Sequence, residues 1–121
     1  MHLIIDYSRL QVGGFDGKNI LLKPIFRDEE RLPEQIQDFL EQNNLTISSL
    51  QSVIIATKGA RFSDVRAATV TANLLAYFKS LALYELDSDC LDAKELNKLL
   101  QSPPKIFIEP QYSSPPSITK A

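Results

Sequence analysis

SVIIATKGARFSDVRAATVTANLLA, residues Ser52–Ala76, is the stretch whose reading decides the fold. Val53–Ala56 is a short apolar run bounded by turn signals, as a buried strand is. Lys58-Gly59 marks a tight turn. Ser63-Asp64 reads as a capped helix start, and a helix built largely of alanine, threonine and leucine follows, from about Asp64 to Phe78. Spaced at the helical period, it carries two apolar arcs. One is bulky: Ala67, Val70, Leu74, Tyr77 and Phe78. The other is smooth: Val65, Ala68, Thr69, Ala72 and Ala76. Only Arg66 and Asn73 form a polar strip. A helix apolar on most of its circumference is buried on most of it, yet in a chain of 121 residues one covering layer cannot easily bury both arcs.

Toward the N-terminus, three short strands are expected. Leu3–Asp6 is a buried run that passes straight into Tyr7-Ser8. Leu10–Phe15 closes with Asp16-Gly17, a strong hairpin signal. Ile20–Phe26 follows at hairpin distance, and Pro24, which has no N–H to donate, places it at a sheet edge. A first helix starts near Pro33, where the missing donor does no harm. It buries Leu32, Ile36, Phe39 and Leu40 on one face and stops at Asn43-Asn44. A helix between such strands is a crossover and makes its flanking strands parallel.

Toward the C-terminus, Leu81–Leu86 is a fifth strand. Asp92 caps a third helix with Glu95 at its third position, and Leu91 can staple onto Leu96. That helix buries Leu96, Leu99 and Leu100 and ends before Pro103-Pro104. Lys105–Glu109 reads as a last short strand. Pro110–Ala121, rich in proline and serine, reads as a disordered or extended docking tail. The expected architecture is α/β: a mixed five-stranded sheet with flanking helices in one domain, residues 1–109, followed by the tail, 110–121.

Composition narrows the function classes. A net charge of −2 argues against a nucleic-acid footprint. The lone Cys90 excludes an internal disulfide framework and fits a reducing compartment. No apolar run approaches the roughly 18 residues of a membrane span. Met1–Ile5 has no basic region and is cut off by Asp6, unlike a signal peptide. A cytoplasmic protein without membrane or direct nucleic-acid contact is expected.

Asp6, after the first strand, is the best single candidate for chemistry. A strand ending in Asp-x-Ser resembles the RNase H-like fold, and that resemblance implies that Asp6 could hold Mg²⁺ near a phosphate or serve as one of several metal carboxylates in a nuclease. The same residue also reads as a turn aspartate bonding local backbone N–H groups. Lys58, Gly59, Arg61 and Arg66 could cradle an anion at the second helix's N-terminus; with one glycine and with Asp64 on the positive end of the dipole, they read more readily as a capped strand-to-helix turn. His2 is the sole histidine, so a histidine metal cluster is excluded by count, and neither Ser8 nor Ser63 has a base in a plausible position. These counts point to a chain without catalytic residues or cofactor of its own.

A strand ending in Asp-x-Ser, followed later by a strand, a glycine loop and a helix, resembles the RNase H-like half of the actin/Hsp70 superfamily. Within it, the residues resemble the TsaB (YeaZ) family of tRNA threonylcarbamoyladenosine synthesis. Ile5-Asp6-Tyr7-Ser8 is similar to that family's strand and Asp-Thr-Ser; Asp16-Gly17 and Thr46-Ile47-Ser48-Ser49-Leu50 are similar to its next turns. Its most specific motif, Gly-Pro-Gly-Ser-Phe-Thr-Gly-Leu/Val-Arg, is matched at Gly59, Phe62, Val65 and Arg66, with Ser63 for threonine, one residue fewer, and the second and third glycines replaced. Pro110-Gln111-Tyr112-Ser113-Ser114-Pro115-Pro116 resembles the family's Pro-x-Tyr-x-x-x-Pro end. The likeness covers the family's N-terminal half and final tail, implying a reduced single-domain version. It implies a non-catalytic scaffold pairing with a TsaD-type transferase, or with itself, through the first two helices. Ile36 and Phe39 would lie beside Val65, Ala68, Thr69, Ala72 and Ala76 at that interface. The alternative class is an RNase H-like nuclease or small nucleotide-binding enzyme using Asp6.

Overall fold

The computed structural model describes residues 1–26 and 31–109. The expected tail, with its resemblance to the family's end, lies outside the described residues. Strands β1 (His2–Asp6), β2 (Gln11–Phe15) and β3 (Ile20–Pro24) form an antiparallel meander. β4 (Ser52–Ala56) joins β1 in parallel, His2 opposite Ser52 through Asp6 opposite Ala56, and β5 (Ala82–Glu85) joins β4 in parallel. The order β3-β2-β1-β4-β5 is the mixed five-stranded sheet expected of an RNase H-like unit.

Alternation along the strands divides the apolar residues between two faces. Leu3, Ile5, Val53, Ile55 and Leu83 share a core with α1 (Leu32–Gln42) and α2 (Phe62–Lys79). Ile4, Phe15, Ile54, Tyr84 and Leu86 pack on the other face with Leu96 of α3 (Ala93–Leu100). With helices on both faces, β1 and β4 are almost wholly buried, which is why they read as continuous apolar runs.

The local signals act largely as their chemistry requires. Asp16 Oδ1 accepts from the N–H groups of Lys18 and Asn19 at 2.8 and 2.7 Å, and Gly17 takes φ +104°. Gly13 in β2 is required by the neighbouring strand, since a Cβ there would come 2.1 Å from the Leu21 carbonyl oxygen. At the start of α1 the Arg31 N–H donates to Glu34 Oε2 at 2.9 Å, with Pro33 in the first turn. Leu32, Ile36, Phe39 and Leu40 are buried, as their spacing predicts. Asp92 caps α3 by accepting from Glu95 N–H at 2.8 Å.

Three expectations are corrected. α2 begins at Phe62, so Ser63 and Asp64 lie inside its first turn; Arg61 is the cap residue, and Val65 N–H closes the first helical bond onto its carbonyl. Lys105–Glu109 is not a strand: one bridge joins Lys105 to Leu83, and the chain then leaves the sheet edge. The smooth arc of α2 faces inward. Val65, Ala68, Thr69 and Ala72 sit in the protein's own core, and the bulky arc faces outward. The reason is size. The sheet face under α2 is paved with Leu3, Ile5, Val53, Ile55 and Leu83, and large residues on one layer leave room only for small ones opposite.

Candidate functional site

Asp6 ends β1 and is fully buried. A buried carboxylate needs partners, and the next few residues supply them. The Arg9 N–H donates to Oδ1 at 3.3 Å, Arg9 Nη1 to Oδ2 at 3.1 Å, and Gln11 Nε2 to Oδ2 at 2.8 Å. Arg9 Nη2 also donates to the Asp89 carbonyl in the loop after β5. Lys58 Nζ, after β4, lies 3.5 Å from Asp89 Oδ1. The carboxyl ends of the three parallel strands, where open α/β sheets commonly bind ligands, are thus tied together by the chain's own charges. The Asp6 carboxylate, read either as a Mg²⁺ holder or as a turn aspartate, accepts here from the Arg9 backbone, the Arg9 guanidinium and the Gln11 amide. Among the described residues, no group of three or more His, Cys, Asp or Glu side chains comes together to hold a metal.

The loop that could cradle an anion is charge-paired at its exposed surface. Gly59 takes φ +77° in the turn. Arg61 Nε lies 3.6 Å from Asp64 Oδ2, and Arg61 Nη2 donates to Ser63 Oγ at 3.5 Å. Lys58 is committed to Asp89, and Arg66 is exposed one turn further along α2. Lys58, Gly59 and Arg61 therefore form a strand-to-helix turn whose two cations are paired with acids, and Arg66 lies outside it.

His2 lies near neither Ser8 nor Ser63 in the sheet register. Its Nδ1 is 2.6 Å from Ser52 Oγ, the residue opposite it on β4. Ser52 is buried, and burial also pushes the His2 imidazole below its ordinary value of 6.5. This pair stitches β1 to β4.

The other feature is apolar. On the outer face of α2, Val70, Leu74, Tyr77 and Phe78 are 49, 52, 79 and 70% exposed. Tyr77 and Phe78 stack edge to face, with ring centroids 5.1 Å apart. Beside this arc, α1 and α2 bound a groove of about 350 Å³ lined by Pro33, Ile36, Leu74, Leu75 and Phe78 among others. Single exposed apolar residues are ordinary on a protein surface, but a contiguous cluster with aromatic members is characteristic of an interaction site. Of the seven residues expected at a partner interface, Ile36 lines this groove with little of its surface exposed, Phe39, Val65, Ala68, Thr69 and Ala72 are buried, and Ala76 is packed against the core.

No family model and no curated protein matches the sequence. Solved structures do match. YeaZ from Pseudomonas aeruginosa superposes with a TM-score of 0.57 at 20% identity, covering 69% of this chain and 42% of that one. Over the superposed part, the chain has the fold of YeaZ. A second structure from the same organism, described as an uncharacterized protein with similarity to peptidase YeaZ, superposes with a TM-score of 0.58 at 20% identity, covering 69% of this chain and 41% of that one. The chain therefore spans about two fifths of the length of these YeaZ structures. The likeness to YeaZ is one of fold, and it agrees with the strand order and the helix placement described above. Among the described residues, no helix of this YeaZ-like unit is long and apolar enough to cross a membrane.

Proposed function

We propose that the chain is a non-catalytic partner subunit of the TsaB (YeaZ) kind. It docks the outer face of α2 and the adjoining α1 groove onto a TsaD-type transferase in tRNA threonylcarbamoyladenosine modification. The observation that carries this reading is the exposed Val70-Leu74-Tyr77-Phe78 arc on a protein of YeaZ-like fold. Aromatic residues beside an apolar groove are the usual anchors of a protein interface. The absence of a catalytic role is supported by Asp6, whose two oxygens are engaged by Arg9 and Gln11, and by Lys58 and Arg61, which are paired with acids.

The test is sedimentation of the purified chain, alone and mixed with a TsaD-type subunit. Tyr77→Glu should abolish association with the fold intact by circular dichroism, because a charge would be desolvated in the interface without a counter-charge. Lys98→Glu, on α3 and the opposite face, should leave association unchanged. A mixture that stays separate, or a complex indifferent to Tyr77→Glu, refutes the proposed subunit role. A self-dimer broken by Tyr77→Glu, with no mixed complex, would assign the same surface to a second copy instead.

A further inference from the structure

After Pro103-Pro104, the described residues are held at two points. Lys105 N–H donates to the Leu83 carbonyl on the open edge of β5 at 2.7 Å, and Lys105 Nζ lies 3.4 Å from Glu85 Oε1. Three residues later, Asn73 on α2 grips both backbone groups of Ile108. Its Nδ2 donates to the Ile108 carbonyl at 2.9 Å, and its Oδ1 accepts from the Ile108 N–H at 3.0 Å. The Ile108 side chain enters the core shared by α1, α2 and the sheet. Between the two anchors the chain stands clear: Ile106 is 100% and Phe107 61% exposed.

We propose that residues 105–108 are a strap, latched by Asn73 and bridged to β5 at Leu83, that opens as a unit while the sheet stays folded. A carboxamide carries a donor and an acceptor side by side, so Asn73 pairs with an extended backbone as a neighbouring strand would. It reads the backbone of the strap and leaves Ile106 and Phe107 unconstrained. Among the described residues, the strap's hold is three hydrogen bonds, a half-exposed ion pair and one aliphatic side chain, set against the entropy of ordering four residues. Pro103 and Pro104 stiffen its approach and lower that entropy. Segments with so few buried contacts open locally, below the free energy of global unfolding.

Native-state hydrogen exchange on the full chain tests this. In the wild type, the Lys105 and Ile108 amides should exchange faster than those of Ile4 and Ile54 at the sheet centre. Asn73→Ala should speed exchange at Ile108 and Lys105 by about tenfold, the loss expected for one or two hydrogen bonds. Trypsin should cut after Lys105 correspondingly faster, with Ile4 and Ile54 unchanged. Asn73→Asp keeps the acceptor for the Ile108 N–H and should fall between. The strap is refuted if Lys105 and Ile108 exchange together with Ile4 and Ile54 in the wild type, which needs no variant to fold. It is equally refuted if Asn73→Ala leaves both strap amides unchanged or accelerates every amide alike.

Discussion

Asp6 shows how one side chain can keep a position and change its use. At the end of the central strand it has no accessible surface, and its charge is balanced by Arg9 three residues on. Removing one member of a buried ion pair leaves the other uncompensated, at about 3–5 kcal/mol when both are fully buried. The Arg9 side chain is 34% exposed, and Gln11 remains a donor, so Arg9→Ala should destabilise by about 1–3 kcal/mol. Urea denaturation measures this; an unchanged midpoint would show that water replaces the guanidinium. His2 gives a pH signature. Its folded-state value lies below the unfolded 6.5 because of burial, so the unfolded chain binds more protons as the pH falls. His2's contribution should be complete above pH 6.5 and lost as the pH falls from there through the depressed folded value. His2→Asn should flatten that part of the stability profile, with thermal melts between pH 7 and pH 5 as the measurement. The Asp6-Arg9 pairing was open to sequence reading, because a cation three residues after a turn aspartate is a local partner. The Asp89 contact was not, because Arg9 reaches it through the loop after β5.

Among the elements, α2 tested sequence reading hardest. Strands were legible because alternation and turn residues are local, and the Asp16-Gly17 hairpin and Pro33 helix start needed nothing distant. The two arcs of α2 are both apolar, so hydropathy cannot say which one faces the sheet. Side-chain size against the branched residues of β1, β4 and β5 settles it. Ala72 accordingly has no accessible surface. Ala72→Glu should unfold the chain, at a cost above about 4 kcal/mol, since it inserts both volume and charge into a filled core. Circular dichroism at room temperature should show a largely unfolded variant; a folded one would place this face outside the core. The segment Lys105–Glu109 misled for a different reason. Its apolar residues suit a strand, yet only Ile108 turns inward, and its partner is a side-chain amide on a helix.

At the scale of the molecule, the strand order sets when the sheet can be completed. β1 opens the chain, but the neighbour on its other flank, β4, does not begin until Ser52. The β1-β2-β3 meander closes through short turns at little entropic cost, whereas β1 against β4 requires a long loop to be drawn in. A growing chain leaving the ribosome would therefore carry β1 with one side satisfied and the other bare until Ala56 had emerged. Folding kinetics should carry the same asymmetry. Val12→Ala in β2 should chiefly slow refolding, and Leu83→Ala in β5 should chiefly speed unfolding, because contacts made after the rate-limiting step weigh on the unfolding limb. Stopped-flow refolding and unfolding of the two variants would show it; the reverse pattern would mean that the parallel half of the sheet nucleates first and the N-terminal hairpins wait for it.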